Sequence, residues 1–572
     1  MSTKEIVVLK FGGSVLRDGS DLTRAVQDIY REIRRGKQVV AVVSAIGETT
    51  DGLLEKAKTY GTKPDERALA SLLHTGEAST AALLGLALDR TGIPSRVLTP
   101  QQAGIETEGS PLDSRPVAAN VDRIRAELEH AIVVLPGFAG VTAEGDISLL
   151  GRGGSDYTAL FLAHRLGARC RLVKDVDGFY AEDPNSTKSA ERYFQASYRT
   201  VLNKGGELIQ PKAIHFAEEA RQEFEIVGIG CEAGTTVGDL PNCFYPRPLN
   251  SPKKVRVALL GCGTVGGGVY QRLASLPHLF DIVGVVNLDP DKAIRAGISQ
   301  DHLERDAHRL IEKDCDVVIE LIGGIEPASS LIEHALKLGR HVITANKALL
   351  ASNASQLERV ARESDVSLKY SASVGGVLPA LEVVRSVAGP RPQAVVGIIN
   401  GTCNFICDEL SSGVDFDSAV KKAQDHGYAE ADPTLDLDGT DAAQKLVLLT
   451  RAAFGVELNV AEIDKTGIEK LSPSRIQNAT DAGASVKLIV ECKKTADGVF
   501  ARVAPVEIHA SHPFAETKGA DNCLLVTTAD GKTAVHRGRG AGRYPTTESV
   551  MADLFDIRNS FANSLAAKEA AV

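Results

Sequence analysis

The stretch KKVRVALLGCGTVGGGVYQRL, Lys253 to Leu273, constrains the fold more than any other part of the chain. A short apolar run, Val255 to Leu260, breaks into glycines, and a helix-compatible segment follows. Gly261, Gly263 and Gly266 stand at Gly-x-Gly-x-x-Gly spacing. Glycines let backbone amides approach a pyrophosphate, and the N-terminus of the next helix adds a favourable dipole. A strand before the turn, a helix after it and a second strand ending near Asn287 favour a dinucleotide-binding unit over a structural glycine turn. The unit begins only after 252 residues, so a separate structure must occupy the first half.

The length of 572 residues exceeds what one hydrophobic core organises and suggests about three or four domains. A net charge of -10 with both signs interspersed, no Trp and no basic tract interleaved with aromatics argue against a nucleic-acid partner. Apolar runs such as DVVIELIGG and KLIVEC are far too short to span a bilayer, so no membrane partner is expected. The opening MSTKEIVVLKFGG does not read as a signal peptide. The nine cysteines are scattered, and the closest pair, Cys403 and Cys407, lacks Cys-x-x-Cys spacing. Reduced thiols in a cytoplasmic protein are the expectation.

Residues 1 to about 230 alternate strand-like segments (EIVVLKF, QVVAVVSA, SRVLT, AIVVLPGF, RLVKDV) with helical ones such as LTRAVQDIYREIRRG and ERALASLLHTGEASTAALLGLALDRTG. That alternation predicts an α/β fold with a mostly parallel sheet between helices. Four prolines (Pro241, Pro246, Pro248, Pro252) mark a linker. A second alternating region follows, and from about residue 376 longer strands such as SVKLIVECKK and VFARVAPVEIHA mix with helices in an α+β pattern. The expected domains are therefore 1–236, a linker at 237–252, a Rossmann domain at 253–375 and a substrate or dimerisation domain at 376–572. The last predicted helix returns to the Rossmann domain.

Chemistry-bearing residues of the second half lie beyond the glycine turn. HVITANKALLA places Lys347 just past a predicted strand, where ligands bind in such sheets. In GYAEADPTLDLDGTDAAQKL, Glu430, Asp432, Asp436, Asp438 and Asp441 crowd together, with Lys445 at the end. Asp441 and Lys445 are four apart on a predicted helix and share a face. Carboxylates suit a substrate ammonium group; a lysine held by a carboxylate suits proton delivery to a carbonyl oxygen as hydride reaches carbon.

These stretches, with VIELIGGIEPA, GIINGTCNFI and GRGAGRYPTTESVMADL in the same order, resemble homoserine dehydrogenase. The resemblance implies NAD(P)H-dependent interconversion of aspartate semialdehyde and homoserine. It implies proton transfer or carbonyl polarisation by Lys445 and Lys347 beside Asp441. Substrate contacts would come from Glu430, Asp436, Gly401 and Thr402, and cofactor contacts from Gly261, Gly263, Thr264, Val265, Gly266, Gly323 and Lys347. Leu288 stands where NADP-favouring members often carry Arg, and Asp289 follows it, so both coenzymes stay open. Ser371 stands where the family's monovalent-cation site often has an acid, so Na+ or K+ near Val374 would rest on backbone carbonyls.

In the first half, EIVVLKFGGSVL puts Lys10 at a strand end before Gly12, Gly13 and Ser14, a pattern suited to neutralising phosphate charge, although not a Walker loop. ISLLGRGGSDYTALFLAHRLGA runs from a strand through Arg152, Gly153, Gly154, Ser155 and Asp156 into a helix. VKDVDGFYAEDP adds Asp175, Asp177 and Tyr180. With SAIGETTD and HTGEASTAALL, these motifs resemble an aspartokinase of the amino-acid kinase fold. The resemblance implies transfer of a phosphoryl group from ATP, with Mg2+, to the side chain of aspartate. It gives Lys10 the moving phosphoryl group and Asp156 the organisation of lysines and phosphates. Ser44, Glu77, Arg152 and Ser155 would bind aspartate; Gly12, Gly13, Asp175 and Tyr180 would line the nucleotide site. Asn185 and Glu207 depart from the family's Arg and Lys, and Lys204 or Lys212 are candidates to compensate for Glu207.

The order of the halves matches a bifunctional aspartokinase/homoserine dehydrogenase family, whose members commonly form homo-oligomers, dimers or tetramers. The ACT regulatory domains usual between the halves would need well over a hundred residues, and the gap here does not hold them. The alternative expectation is a working dehydrogenase joined to a kinase-like domain that has lost turnover.

Overall fold

The computed structural model describes residues 4–61, 63–184, 186–187, 190–206, 208–245, 254–385 and 391–570, with backbone alone beyond 561. Asn185 and Glu207 lie outside the described residues. The chain forms two compact units, 2–251 and 252–572.

The first unit is built on a nine-stranded sheet. Its order is Cys243–Phe244, Tyr193–Ser197, Thr235–Gly238, Phe224–Gly228, Arg169–Lys174, Ile6–Phe11, Gln38–Val43, Ile132–Pro136 and Ser95–Val97. Pairing is parallel except where Thr235–Gly238 meets Phe224–Gly228 and Cys243–Phe244 meets Tyr193–Ser197. The central runs IVVLKF, QVVAVV and IVVLP are buried on both faces, which is why they read as continuous rather than alternating apolar segments. Residues of one parity, including Val8, Val40, Val42, Leu135 and Leu172, form one core with helices Val121–Leu128, Gly154–Leu166 and Pro211–Ala220. Lys10 shares the parity of Val8, and Lys174 that of Leu172, so both aim toward this face.

One expectation for this unit needs correction. The prolines mark a linker at 237–252, yet Thr235–Gly238 and Cys243–Phe244 are strands of the main sheet. Tyr193 stacks on Phe244 with centroids 4.3 Å apart, so apolar contact ties the segment down. Residues 246–253 lie outside the described residues. A second sheet of four strands, Asp113–Ala118, Glu106–Ser110, Ala139–Val141 and Ile147–Leu149, was not expected in full. Its hairpin strands ETEGS and DSRPVA are short, polar and half exposed, so they carry no apolar run.

The second unit opens with a six-stranded parallel sheet in the order Leu303–Glu304, Phe280–Val286, Val255–Leu260, Val317–Glu320, His341–Thr344, Leu368–Lys369. This is the doubly wound order, and its direction reverses between Val255–Leu260 and Val317–Glu320, where the carboxyl ends of the strands open a ligand crevice. The segment SLKYSAS supplies only Leu368–Lys369 as strand and then turns into a 3-10 helix, Ser371–Ser373. A second sheet follows in the order Asp464–Lys465, Gly498–His509, Ala484–Thr495, Pro392–Ile398, Asp521–Thr528, Thr533–Arg539. One of its faces shares a core with helices Gly401–Ser411 and Thr440–Phe454.

The helix Arg543–Ala570 packs back on the parallel sheet: Val550, Met551, Leu554 and Phe555 share a core with Val257, Leu259, Val269 and Leu273. Contact is close at Gly268, where a Cβ would lie 2.4 Å from Thr547 Oγ1. Gly268→Val should therefore destabilise this unit by about 1–3 kcal/mol through overpacking. The check is the denaturant midpoint of the dehydrogenase signal, which should fall.

Candidate active sites

In the first unit, Asp156 lies in the first turn of helix Gly154–Leu166, entered through left-handed Gly153 (φ 73°). Its carboxylate stands between two lysines from adjacent parallel strands: Lys10 Nζ is 2.8 Å from Oδ1, and Lys174 Nζ is 2.8 Å from Oδ2. All three side chains are buried, at 5 to 8 % exposure. Burial alone would raise the Asp156 carboxyl, but Lys10 and then Lys174 overcome it and hold the group at about 2. For Lys10, burial outweighs Asp156 and lowers its pKa, and Lys174 lowers it further.

Glu77, on helix Glu66–Thr91, accepts from the Ala45 amide at 3.3 Å through Oε1, while its buried Oε2 has no hydrogen-bond partner among the described residues. Burial pushes its carboxyl up to about 7. Gly12 and Gly13 lie against this centre: a Cβ on Gly12 would meet Lys10 Nζ at 3.1 Å, and one on Gly13 would meet Ala45 O at 3.3 Å. Ser44 donates its amide to Phe11 O at 3.0 Å, and Ser155 is buried one residue before Asp156. Arg152 is exposed.

The remaining predicted nucleotide contacts are more dispersed. Asp175 is exposed and accepts from Ser14 Oγ at 3.3 Å. Tyr180 donates to Asp177 Oδ1 at 2.6 Å, and Arg192 pairs with the same carboxylate at 2.5 Å, so Tyr180 is held in a local network. Lys212 does not reach Asp156; it bonds Asp113, Ser114 O and Leu150 O, and Lys204 is exposed. The second lysine on Asp156 is Lys174, which opens the KDVDG motif and is not among the predicted site residues.

The second unit repeats the arrangement on an unrelated frame. Helix Thr440–Phe454 carries Asp441 and Lys445 on one face, with Lys445 Nζ 2.9 Å from Asp441 Oδ2 and donating to Ile399 O at 2.9 Å. Lys347, first residue of helix Lys347–Glu363, reaches Asp441 Oδ1 at 3.0 Å. Burial opposes ionisation of Asp441, yet Lys445 and Lys347 hold it well below the usual carboxylate range. The Asp441 charge in turn raises Lys347.

Asn400, absent from the predicted set, links the acids. Its Nδ2 donates to Asp436 Oδ1 at 2.7 Å and to Asp441 Oδ2 at 2.8 Å, while Oδ1 caps helix Gly401–Ser411 at the Cys403 amide, 2.8 Å away. Burial, then the neighbouring Asp441 charge, raises Asp436. Gly401 approaches the Ala520 backbone so closely that a Cβ would sit 2.5 Å from its carbonyl oxygen, and Thr402 Oγ1 donates to Tyr428 O at 2.6 Å. Glu430 is exposed but close enough for its charge to act on Lys347. Asp432 and Asp438 serve the backbone instead, accepting from Thr434 N and Thr440 N.

The glycine turn fits a dinucleotide. A Cβ on Gly266 would lie 2.2 Å from Gly261 O, and Gly261 is left-handed at φ 93°, so the turn is tight. Nothing lies within 4 Å of a Cβ at Gly263 or Gly323, leaving open space beside both. Gly263 provides no side-chain cap for helix Thr264–Ala274, so its first amides remain available, with Thr264 exposed and Val265 half-buried. Glu320, also unpredicted, is fully buried and fixes the facing loop through Ile322 N at 2.7 Å and Thr344 Oγ1 at 2.5 Å. Val374 is fully buried, and Ser371 donates its amide and hydroxyl to Asp553 at 3.0 and 2.7 Å.

Comparison with known proteins agrees with this layout. Residues 379–555 match the homoserine dehydrogenase family model, 261–371 match the homoserine dehydrogenase NAD binding domain, and 5–228 match the amino acid kinase family. A homoserine dehydrogenase of Corynebacterium glutamicum is 37% identical over 316 residues, 52% of this chain and 71% of that protein. One from Lactococcus lactis is 34% identical over 316 residues, covering 53% and 74%.

The chain belongs to the homoserine dehydrogenase family.

The crystal structure of a homoserine dehydrogenase from Thiobacillus denitrificans superposes with a TM-score of 0.51 at 35% identity, covering 54% of this chain and 73% of that one. The homoserine dehydrogenase part of this chain thus comprises the NAD-binding sheet and the domain built on the second, mostly antiparallel six-stranded sheet, and an amino acid kinase family domain precedes it. No helix among the described residues is long and apolar enough to cross a membrane.

Proposed function

We propose that the chain is bifunctional, reducing L-aspartate 4-semialdehyde to L-homoserine with NAD(P)H and phosphorylating L-aspartate with ATP. The observation that carries the first activity is the Lys445–Asp441–Lys347 cluster. The bound nicotinamide supplies the hydride. Lys445 donates a proton to the aldehyde oxygen as negative charge develops there, and Lys347 adds a second cation on the same carboxylate. Asp441 keeps both ammonium groups in place, and the Asn400 amide bridges it to Asp436. Asp436 and Glu430 receive the substrate ammonium group.

For the kinase, the supporting observation is Asp156 held beside Lys10, with Glu77 nearby. Lys10 neutralises the moving phosphoryl group, ionised Glu77 receives the aspartate ammonium, and the exposed Arg152 receives its α-carboxylate. Mg2+ would be held by the nucleotide phosphates and would add to the charge neutralisation there. The test is ADP release by the full chain with Mg-ATP and L-aspartate, with the acyl phosphate trapped as a hydroxamate. ADP release that does not depend on aspartate would overturn this half of the reading.

Glu77 also makes the first unit pH-sensitive. Its folded pKa of about 7 lies above the ordinary 4.5, so within that window the folded state holds the extra proton. Stability contributed by the protonated form is therefore lost as pH rises through the window. The thermal midpoint of the first unit should fall with rising pH there, and Glu77→Gln should flatten that fall; identical slopes for both proteins would contradict the assignment.

A further inference from the structure

The kinase reading leaves a charge unaccounted for. The resemblance places a phosphate-facing lysine at position 207, where this chain has Glu207. Lys212 is committed to Asp113 and two carbonyls, and Lys204 is exposed. Lys174, in contrast, ends the strand Arg169–Lys174 beside the strand that carries Lys10. Its ammonium touches Asp156 Oδ2 at 2.8 Å and donates to Leu208 O at 2.9 Å. Leu208 directly follows Glu207, so this ammonium lies against the backbone of the segment where the family's lysine is missing.

The charge balance points the same way. The trio of one carboxylate and two ammonium groups carries an excess positive charge, offset only in part by Glu77 beside Lys10, and all three side chains are nearly excluded from water. A buried excess charge is costly unless an opposite charge joins it. A transferring phosphoryl group, with negative charge on three equatorial oxygens, is such a partner.

We propose that Lys174 is the second phosphoryl-neutralising group of the kinase site, set opposite Lys10 across Asp156 and replacing the lysine absent from position 207. The proposal rests on the kinase reading above. In the reaction an aspartate side-chain oxygen forms a bond to the γ-phosphorus, and the bond from that phosphorus to the β,γ-bridging oxygen breaks. The electron pair leaves on ADP. Lys10 and Lys174 stabilise the equatorial oxygens from the two sides of Asp156.

The test uses the full chain and the variants Lys174→Met, Glu207→Lys and the double variant Lys174→Met/Glu207→Lys. Methionine keeps the length of the side chain without its charge. Lys174→Met should lower kcat for aspartate-dependent ADP release about 10²–10³-fold, as for loss of one transition-state donor. Dehydrogenase turnover should not change. The double variant should recover at least about tenfold, which a merely structural role for Lys174 does not predict. Wild-type kcat in Lys174→Met, or a loss that Glu207→Lys does not restore, overturns the proposal. If the wild-type chain phosphorylates no aspartate, the aspartate reading fails separately. Calorimetric titration with a non-hydrolysable ATP analogue then decides: affinity roughly tenfold weaker in Lys174→Met supports the phosphate contact, and unchanged affinity removes it.

Discussion

Replacing Lys445 by alanine should lower the rate of aspartate semialdehyde reduction about 10²–10⁴-fold, the range for loss of one positioned proton-transfer group. The side chain is 8 % exposed, and its ammonium has two fixed partners, Asp441 and the Ile399 carbonyl. Such a group is oriented before substrate arrives, so its loss falls on kcat rather than on folding. Asp441 keeps Lys347 and Asn400 as partners in the variant, so its charge is not left bare. The glycine turn belongs to different elements, Val255–Leu260 and Thr264–Ala274, so coenzyme affinity should be unchanged. Steady-state turnover and coenzyme titration by fluorescence separate the two quantities. Near wild-type turnover would eliminate Lys445 as the proton donor.

The second large effect is expected in the other unit. Lys10→Ala should reduce aspartate phosphorylation about 10²–10³-fold or more and leave homoserine dehydrogenase activity intact. Lys10 is one of the two cations on Asp156, and its removal leaves that carboxylate facing Lys174 alone. The dehydrogenase cluster lies wholly within residues 252–572, in a separate compact unit. Assaying both activities on one preparation provides an internal control. Equal loss of both, with circular dichroism unchanged, would contradict the independence of the two sites.

The two centres share one physical solution. Each buries a single aspartate whose oxygens take a lysine apiece, Lys10 and Lys174 in one unit, Lys347 and Lys445 in the other. Paired cations offset the desolvation of the carboxylate, and the carboxylate in turn keeps the lysines aimed. In the proposed reactions one centre faces phosphoryl oxygens and the other a carbonyl oxygen.

Local pattern marked most of the elements and several of the candidate site residues. Continuous β-branched runs marked the parallel strands because a sheet covered on both faces has no polar side to show. The spacing of Asp441 and Lys445 predicted a shared helix face because both lie within one turn's reach. The glycine turn was legible because its tight backbone admits little else at Gly261 and Gly266. Tertiary structure decided what came together across long separations. Lys174 joins Lys10 only because strands far apart in sequence are sheet neighbours, and no spacing rule connects positions 10, 156 and 174. Asn400 meets Asp436 and Asp441 because a helix cap brings its amide to the mouth of a second helix. The polar hairpin 106–118 and the strand Cys243–Phe244 stayed hidden for the opposite reason. Pairing and side-chain contacts stabilise them, and neither leaves an apolar period in the sequence.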